Sequence, residues 1–331
     1  MSGRKKKTNK KEDAVYSDFA YDDAYRTMES ECDDLLIPFV NYFHNENYGS
    51  SAKIIRRRNE HFIEGENHSE QKRITDSAFE IVDNGKHRLY HHECESKKYD
   101  DTLLVRMFEY DVQVALDSSE IEEHCLRVDM PYSGILLLRG SGDFDKANVK
   151  LSTPGGNVEY PIAIRRMSEL GVEDIFEKHL YMLLPFYIFN MEGSLSVINE
   201  DSRKLEEFSN IYRDILARLE KEVEHGNLSV LSYGVIIRMI HRVAYKMTMK
   251  EECVQKKVGD IMGGKVLELD IIVAHRQGRT EGIAEGRTEG RREGKTEERA
   301  ENIAKLAAHY MSTDPLLSKE EATKMATEIL A

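Results

Sequence analysis

Cysteine pairs, long apolar runs and a secretory leader are what this sequence lacks. Its four cysteines, among 331 residues, are widely spaced and include no C-x-x-C pair, so neither a zinc site nor a disulfide framework is indicated. The longest apolar segment, residues 180–189, is too short for a membrane span and contains Pro185. The charged N-terminus is not followed by the apolar region of a secretory signal. We therefore expect a protein of the reducing cytoplasm without a membrane partner.

Basic charge is also scarce. Lys and Arg number 47 against 60 Asp and Glu, which gives a formal net charge of −13 at pH 7. A net acidic chain is not an obvious binder of nucleic acid, because contact with phosphate favours a basic surface, although a local patch can act against the global sign. Two basic clusters are present, within residues 4–11 and at Arg56-Arg57-Arg58. The first is a solubilising terminus or a phosphate-binding arm, and the second is a DNA backbone contact or the solvated end of an element.

Length and composition permit more than one structural unit. A chain of 331 residues, 40% of them hydrophobic, can bury a sizeable core. Patterning divides the chain into a disordered basic arm (1–12), an α/β core (13–190), a helical extension (191–277), and a charged Gly-repeat spacer with terminal helices (278–331).

An Asn-Gly dipeptide separates two segments in which apolar and polar residues alternate. Asp83-Asn84-Gly85-Lys86 has the turn chemistry of a tight β-hairpin. In the strand before the turn, Asp76 opens the alternation, and it shares a face with Glu80 because successive side chains point to opposite faces.

The returning strand, predicted over residues 88–96, has two faces of different character. One face carries His91, Glu93, Glu95 and Lys97, and the other carries His92, Cys94 and Ser96. Buried charge is costly unless it is paired or bound to metal. The hairpin brings Asp76, Glu93 and Glu95 to one sheet edge, and three carboxylates suit a hard cation such as Mg²⁺. The other interpretation is a solvated polar edge with a weak salt bridge.

The remaining pattern completes an α/β fold. Helical spacing is found at residues 22–43, 102–116, 173–189, 201–225 and 229–246. Asp33-Asp34 predicts a break or a helix start within the first of these. The helix at 102–116 has Val105, Phe108, Val112 and Ala115 on its predicted core face. Strands are predicted at 133–139, as a continuous apolar run, and at 149–152 and 158–165 around the turn Pro154-Gly155-Gly156.

Glycine recurs every four residues from Gly278 to Gly294, interleaved with glutamates. Each glycine costs about 1 kcal/mol relative to alanine in a helix interior, and a period of four exceeds the helical 3.6, so the stripe would wind around a helix. We expect a solvated, partly helical spacer, and close helix pairing in a homo-oligomer is the alternative. Beyond it, residues 298–312 are amphipathic, and Ser318-Lys319-Glu320-Glu321 is a capping-box pattern.

The order of these features resembles the PD-(D/E)-x-K phosphodiesterase superfamily, and more narrowly its transposase-associated, recombination-promoting nuclease branch. The matching segments are residues 58–61, 73–77, 90–94, 106–111, 153–156, 173–178 and 184–189, and the glycine-repeat tail is also typical of the branch. The resemblance implies a restriction-endonuclease-like fold, with a mixed sheet flanked by helices and a helical C-terminal extension. In this family the helix at 102–116 packs beside the active site, where Arg106 and Tyr110 could face the substrate, although a tyrosine at helical spacing is more often a core residue.

The resemblance also implies an activity, which is metal-dependent endonucleolytic cleavage of DNA linked to recombination or mobile elements. Asp76 and Glu93 would bind Mg²⁺ or Mn²⁺, which polarises phosphate and lowers the pKa of the attacking water. The third motif position, usually Lys and often Gln in this branch, is Glu95 here. Lys97 could take over the cationic role, or Glu95 is a third ligand, or the site is impaired. A catalytically weakened DNA-binding or oligomeric scaffold of the same fold is the alternative function.

Overall fold

The computed structural model describes residues 20–49, 51–57, 60–64, 70–74 and 77–264, and a few positions between 318 and 327. The chain divides into two compact units, Met1–Val266 and Leu267–Ala331. The predicted basic arm, Arg58, Asp76, the glycine repeat and the amphipathic segment at 298–312 lie outside the described residues. Within the described part, no helix combines the length and the apolar character that crossing a membrane requires.

The first unit is an α/β structure in which helices flank a mixed sheet. Its helices include α1 (Ala20–Glu31), α2 (Asp33–His44), α3 (Thr102–Leu116), α4 (Val172–Glu177), α5 (Leu195–Glu200), α6 (Ser202–Glu224) and α7 (Val230–Met247), with 3₁₀ segments at Met167–Glu169 and Tyr181–Ser194. Residues 252–264 are also helical. Its strands include β1 (Lys53–Arg56), β2 (Glu60–Glu64), β3 (Glu70–Ile74), β4 (Ser77–Asp83), β5 (Lys86–Glu95), β6 (Glu120–Glu122), β7 (Cys125–Arg127), β8 (Tyr132–Leu137), β9 (Lys146–Thr153) and β10 (Gly156–Arg166).

The hairpin of β4 and β5 is confirmed. Asp83 pairs with Lys86 across a two-residue turn, and both turn residues have positive φ, 49° at Asn84 and 74° at Gly85. A type I′ turn requires that conformation at both central positions, which asparagine and glycine adopt at little cost. The predicted strand ran to residue 96, and the observed strand ends at Glu95.

Three neighbouring strands run in the same direction at the centre of the sheet. The six-stranded sheet has the order β1-β4-β5-β8-β10-β9, and β8 pairs in parallel with both β5 and β10. Their carboxyl ends therefore meet at one edge of the sheet, which we call the carboxyl edge. Strand β4 is antiparallel to β5 and contributes its first residue, Ser77, opposite His92. The carboxyl edge thus collects the end of β5 and the start of β4.

The sheet is covered on both faces. On one face, α3 places Leu103 and Met107 in a cluster with Ile135, Leu137, Ile162 and Ile164. On the other face, the rings of Phe39 and Phe43 from α2 contact His92 of β5, with ring centroids 5.3 Å and 5.0 Å from the imidazole. Each face of β5 therefore meets a different helix.

The predicted core face of α3 is wrong for Val105, which is 62% exposed, whereas Ala115 is buried as predicted. The buried side chains of this helix are Leu103, Met107, Tyr110, Asp111, Val114 and Ala115. Apolar residues cover most of its circumference, so their spacing allows more than one apolar stripe. The side that faces the sheet is the one that brings Asp111 to His91.

One predicted helix is also wrong. The segment 173–189 forms the short helix α4 and then a 3₁₀ segment, because the chain turns at His179, whose φ is 54°, and Pro185 lacks a backbone donor. Predicted helices at 201–225 and 229–246 are confirmed as α6 and α7. Asp201 caps α6 by accepting from the backbone of Arg203 and Lys204, at 2.9 and 3.2 Å.

The remaining strand predictions are confirmed, with β9 and β10 longer than predicted and β8 one residue shorter. Strand β8 covers most of the predicted 133–139 segment, and β9 and β10 form the predicted second hairpin, in which Thr153 pairs with Gly156. Helix α2 begins at Asp33, where the acidic pair predicted a helix start.

Candidate active site

The end of β5 carries the predicted charged face. His91, Glu93 and Glu95 lie on one side of the strand, and Glu93 is only 4% exposed. Because β5 ends at Glu95, strand alternation does not extend to Lys97, which is exposed in the segment that follows. The backbone N–H of Lys97 donates to Oε1 of Glu95 at 2.8 Å. The structure therefore groups three of the predicted residues and leaves the lysine side chain at the surface.

Arg106 on α3 contacts both glutamates. Its Nη2 lies 2.9 Å from Oε2 of Glu95 and 3.7 Å from Oε2 of Glu93. Burial opposes the charge of Arg106, but the charges of Glu93 and the hydrogen bond to Glu95 raise its pKa. A positive charge thus lies beside Glu95 and comes from a residue of another element.

A third carboxylate, that of Asp22 in the first turn of α1, interacts electrostatically with Glu93 and Glu95. Burial raises the pKa of Asp22, Arg26 lowers it, and the charges of Glu95 and Glu93 raise it further. Like charges raise one another's pKa only when they are close. The sequence analysis did not identify Asp22 as a site residue, because Asp22 belongs to no motif and acidic residues are common in the first turn of a helix.

A buried triad of Asp111, His91 and Glu93 lies behind these carboxylates. The ring of His91 places Nδ1 2.7 Å from Oδ1 of Asp111 and Nε2 3.3 Å from Oε1 of Glu93. Two hydroxyl groups also donate to Asp111, from Ser133 at 2.5 Å and from Tyr160 at 3.1 Å. Burial opposes protonation of His91, but hydrogen bonds to Asp111 and Glu93 raise its pKa to about 9. The sequence analysis also did not identify Asp111 as a site residue. The feature that could have indicated it is an acidic residue within the apolar stripe of a helix.

The donor chemistry of the carboxyl edge fits a hard cation in part. Carboxylate oxygens of Glu93 and Glu95 are the ligand type that Mg²⁺ prefers. Among the residues that the structure describes, no group of three or more His, Cys, Asp or Glu side chains is arranged to hold a metal ion. The second predicted ligand, Asp76, lies outside those residues and directly precedes β4.

The predicted arginine cluster is engaged within the chain where it is described. Arg56 forms ion pairs with Glu29 and Asp33, and Arg57 forms one with Glu80. These pairs tie β1 and the residue after it to α1, α2 and β4. The cysteines in the described residues are free, and Cys94 faces the core as predicted.

Comparison with known proteins adds no match. No family model matches the sequence, and neither the curated proteins nor the solved structures that were compared match it significantly. Evidence about function therefore comes from the chain's own residues.

Proposed function

We propose that this protein is a metal-dependent endonuclease that hydrolyses phosphodiester bonds of DNA at the carboxyl edge. The observation that carries the proposal is the pair Glu93 and Glu95 at the end of β5, with the guanidinium of Arg106 at 3.7 Å and 2.9 Å from them. In open α/β sheets, ligands bind outside the carboxyl ends of the strands. The proposal includes a restriction-endonuclease-like arrangement of the sheet and a role in recombination or mobile elements, both as the resemblance implies.

Mg²⁺ or Mn²⁺ is the proposed cofactor, and Asp76 and Glu93 are its proposed ligands. When bound, such a metal polarises the phosphate and lowers the pKa of the attacking water. Two acids that share a site repel each other without a cation, so a ligand role accounts for carboxylates concentrated at one edge.

Glu95 and Arg106 have distinct proposed roles. The carboxylate of Glu95 is fixed by the backbone N–H of Lys97 at 2.8 Å and by Arg106 at 2.9 Å, so it can orient a water molecule from a defined position. Arg106 offers a planar set of donors that matches phosphate oxygens. A cation in that position stabilises the negative charge that develops on the phosphate during hydrolysis.

The same ion pairs favour a second candidate function. Because Arg106 already pairs with Glu95 and lies 3.7 Å from Glu93, the edge can be stable without a metal, as in a DNA-binding protein that does not cleave. The two functions differ in one observable, which is whether DNA strands are broken when a divalent metal is added.

Nicking of supercoiled plasmid tests the proposal. We expect cleavage by the wild-type protein with Mg²⁺ or Mn²⁺ and none with EDTA. Glu93→Gln should slow cleavage by about 100-fold or more, since losing even an outer-shell partner of a metal costs about 10–100-fold. Glu122→Gln, on the exposed strand β6, is the matched control and should cleave like wild type. Binding of DNA without cleavage would select the second function, and absence of both would refute the proposal.

The same assay tests whether Arg106 or Lys97 supplies the positive charge that assists cleavage. Arg106→Ala should slow cleavage more than Lys97→Ala, because Arg106 contacts Glu93 and Glu95 whereas the side chain of Lys97 is exposed. If Lys97 has taken the displaced lysine role, Lys97→Ala will instead have the larger effect. Glu95→Gln should be tolerated if Glu95 orients water, and should raise the Mg²⁺ requirement if it is a ligand.

A further inference from the structure

His91 lies between two carboxylates in the interior of the protein. Its Nδ1 is 2.7 Å from Oδ1 of Asp111, and its Nε2 is 3.3 Å from Oε1 of Glu93. His91 and Asp111 are fully buried, and Glu93 is 4% exposed. Each ring nitrogen of His91 thus has a carboxylate oxygen of its own as partner. The three side chains therefore form one connected unit.

Asp111 is anchored independently of His91. Ser133 on β8 and Tyr160 on β10 place their hydroxyl oxygens 2.5 Å and 3.1 Å from its carboxylate. Asp111 itself belongs to α3, so three elements converge on one carboxylate. Donors fixed on two strands restrict the orientation of this carboxylate. The end of the triad remote from the carboxyl edge is thus rigid.

Folding stability alone does not account for such a unit. A buried group of paired charges is often no more stabilising than apolar side chains of similar volume, and the same face of the sheet is otherwise packed by residues such as Met107 and Ile135. What the triad adds is orientation, because it holds Oε1 of Glu93 inward. The other oxygen, Oε2, then lies on the side of Arg106, at 3.7 Å, where Oε2 of Glu95 also lies.

We infer that His91 is a positioning residue that, through Asp111, fixes the carboxylate of Glu93 so that its Oε2 is presented at the carboxyl edge. The inference rests on the proposed function only in that Glu93 is the residue whose orientation matters for a metal. Histidines and carboxylates behind metal ligands commonly set ligand orientation, and their loss lowers metal affinity.

Carboxyl ¹³C NMR tests the orientation without any metal or substrate. In protein labelled at glutamate Cδ, the Glu93 signal is assigned by its loss in Glu93→Gln. We expect His91→Gln to shift or broaden that signal and Tyr160→Phe to shift it by less, because Tyr160 donates to Asp111. Tyr99→Phe removes a hydroxyl that bonds to Asp101 instead and should leave it unchanged. An unaltered Glu93 signal in folded His91→Gln would overturn the inference.

Binding of Mn²⁺ alone, measured by calorimetry, extends the test to function. Affinity should fall by about 10–100-fold in His91→Gln, by less in Tyr160→Phe, and remain at the wild-type value in Tyr99→Phe. Near-UV circular dichroism of each variant separates loss of positioning from loss of fold. Wild-type affinity in His91→Gln contradicts the inference. If wild type itself binds no Mn²⁺, the proposed function fails, and the NMR result still decides the role of His91.

Discussion

His91 and His92 are adjacent in sequence and equally buried, yet they lie in opposite electrostatic environments. His91 faces α3 and meets the carboxylates of Asp111 and Glu93, which raise its pKa to about 9 although burial opposes the charge. Burial, and then the neighbouring His44 and His91, lower the pKa of His92. Its Nε2 lies 2.8 Å from Nε2 of His44, a contact that needs one proton and leaves both rings neutral.

The comparison shows that burial does not by itself determine the charge of a histidine. Both imidazoles are removed from water, so the difference comes from the side chains that each helix presents to β5. Helix α3 presents an acid, whereas α2 presents the rings of Phe39 and Phe43 beside His44. Because strand side chains alternate, one residue of separation is enough to place two chemistries on one strand.

The largest effect should come from replacing each histidine by leucine. His91→Leu leaves Asp111 and Glu93 buried without the imidazole between them and should lower the free energy of unfolding by about 3–5 kcal/mol. His92→Leu removes a neutral hydrogen bond and should cost about 1 kcal/mol. Urea unfolding at pH 7 measures both, and equal losses would show that the charge on His91 is not what distinguishes the two faces.

Because of the charged face, the free energy of unfolding should decrease at alkaline pH. The folded-state pKa of His91 is raised above its unfolded value, so its contribution is complete below about pH 6.5 and is lost as pH rises through about 9, a total on the order of 3 kcal/mol. Groups facing the ring are Asp111, Glu93 and Tyr110, and the hydroxyl of Tyr160 donates to Asp111 behind it. The difference in unfolding free energy between wild type and His91→Gln should shrink over that window, and a constant difference would contradict the charged state.

The neutral face should instead be limited by packing. A methyl group at Gly134 of β8 would lie 2.9 Å from Cδ2 of His92 and closer still to Cε1 of Phe43. Gly134→Ala should therefore cost about 1–3 kcal/mol. Gly193→Ala, where nothing lies within 4 Å of the added methyl, is the control and should change stability by less than about 0.5 kcal/mol. Similar thermal unfolding of the two variants would show that the ring cluster is loosely packed.

The smallest effect should be a decrease in the free energy of unfolding at acidic pH that is caused by His44, the partner of His92. Burial, with Arg165, lowers the pKa of His44 to about 3, so below about pH 6.5 the unfolded chain binds a proton that the folded protein does not. Stability should fall by about 1 kcal/mol between pH 6.5 and 5.5 from this group. His44→Phe should flatten that part of the profile, and an unchanged slope would assign the decrease at acidic pH to other groups.

Sequence reasoning succeeded where the signals were local. The turn at Asn84-Gly85 and the alternation around Glu93 and Glu95 depend on neighbouring residues, and both are confirmed. Contributions from distant segments could not be predicted. Asp22 and Asp111 reach the site from α1 and α3, and neither spacing nor composition specifies which face of those helices meets β5. The wrong placement of Val105 in the core has the same origin, since the choice between two apolar stripes on α3 depends on a partner in the sheet.

The turn between β4 and β5 has a consequence for how the chain folds. A one-residue slip of β5 would exchange its faces, placing His92 opposite Asp111 and His91 among aromatic rings. The pairing with β4 closes a loop of two residues, whereas the pairing with β8 needs a much longer one, and short loops close at lower entropic cost. Strand β8 is therefore expected to dock on a register that already exists. The left-handed backbone conformation of Asn84 and Gly85 thus sets the register of β5 before the sheet is complete. That register determines which histidine contacts the carboxylates.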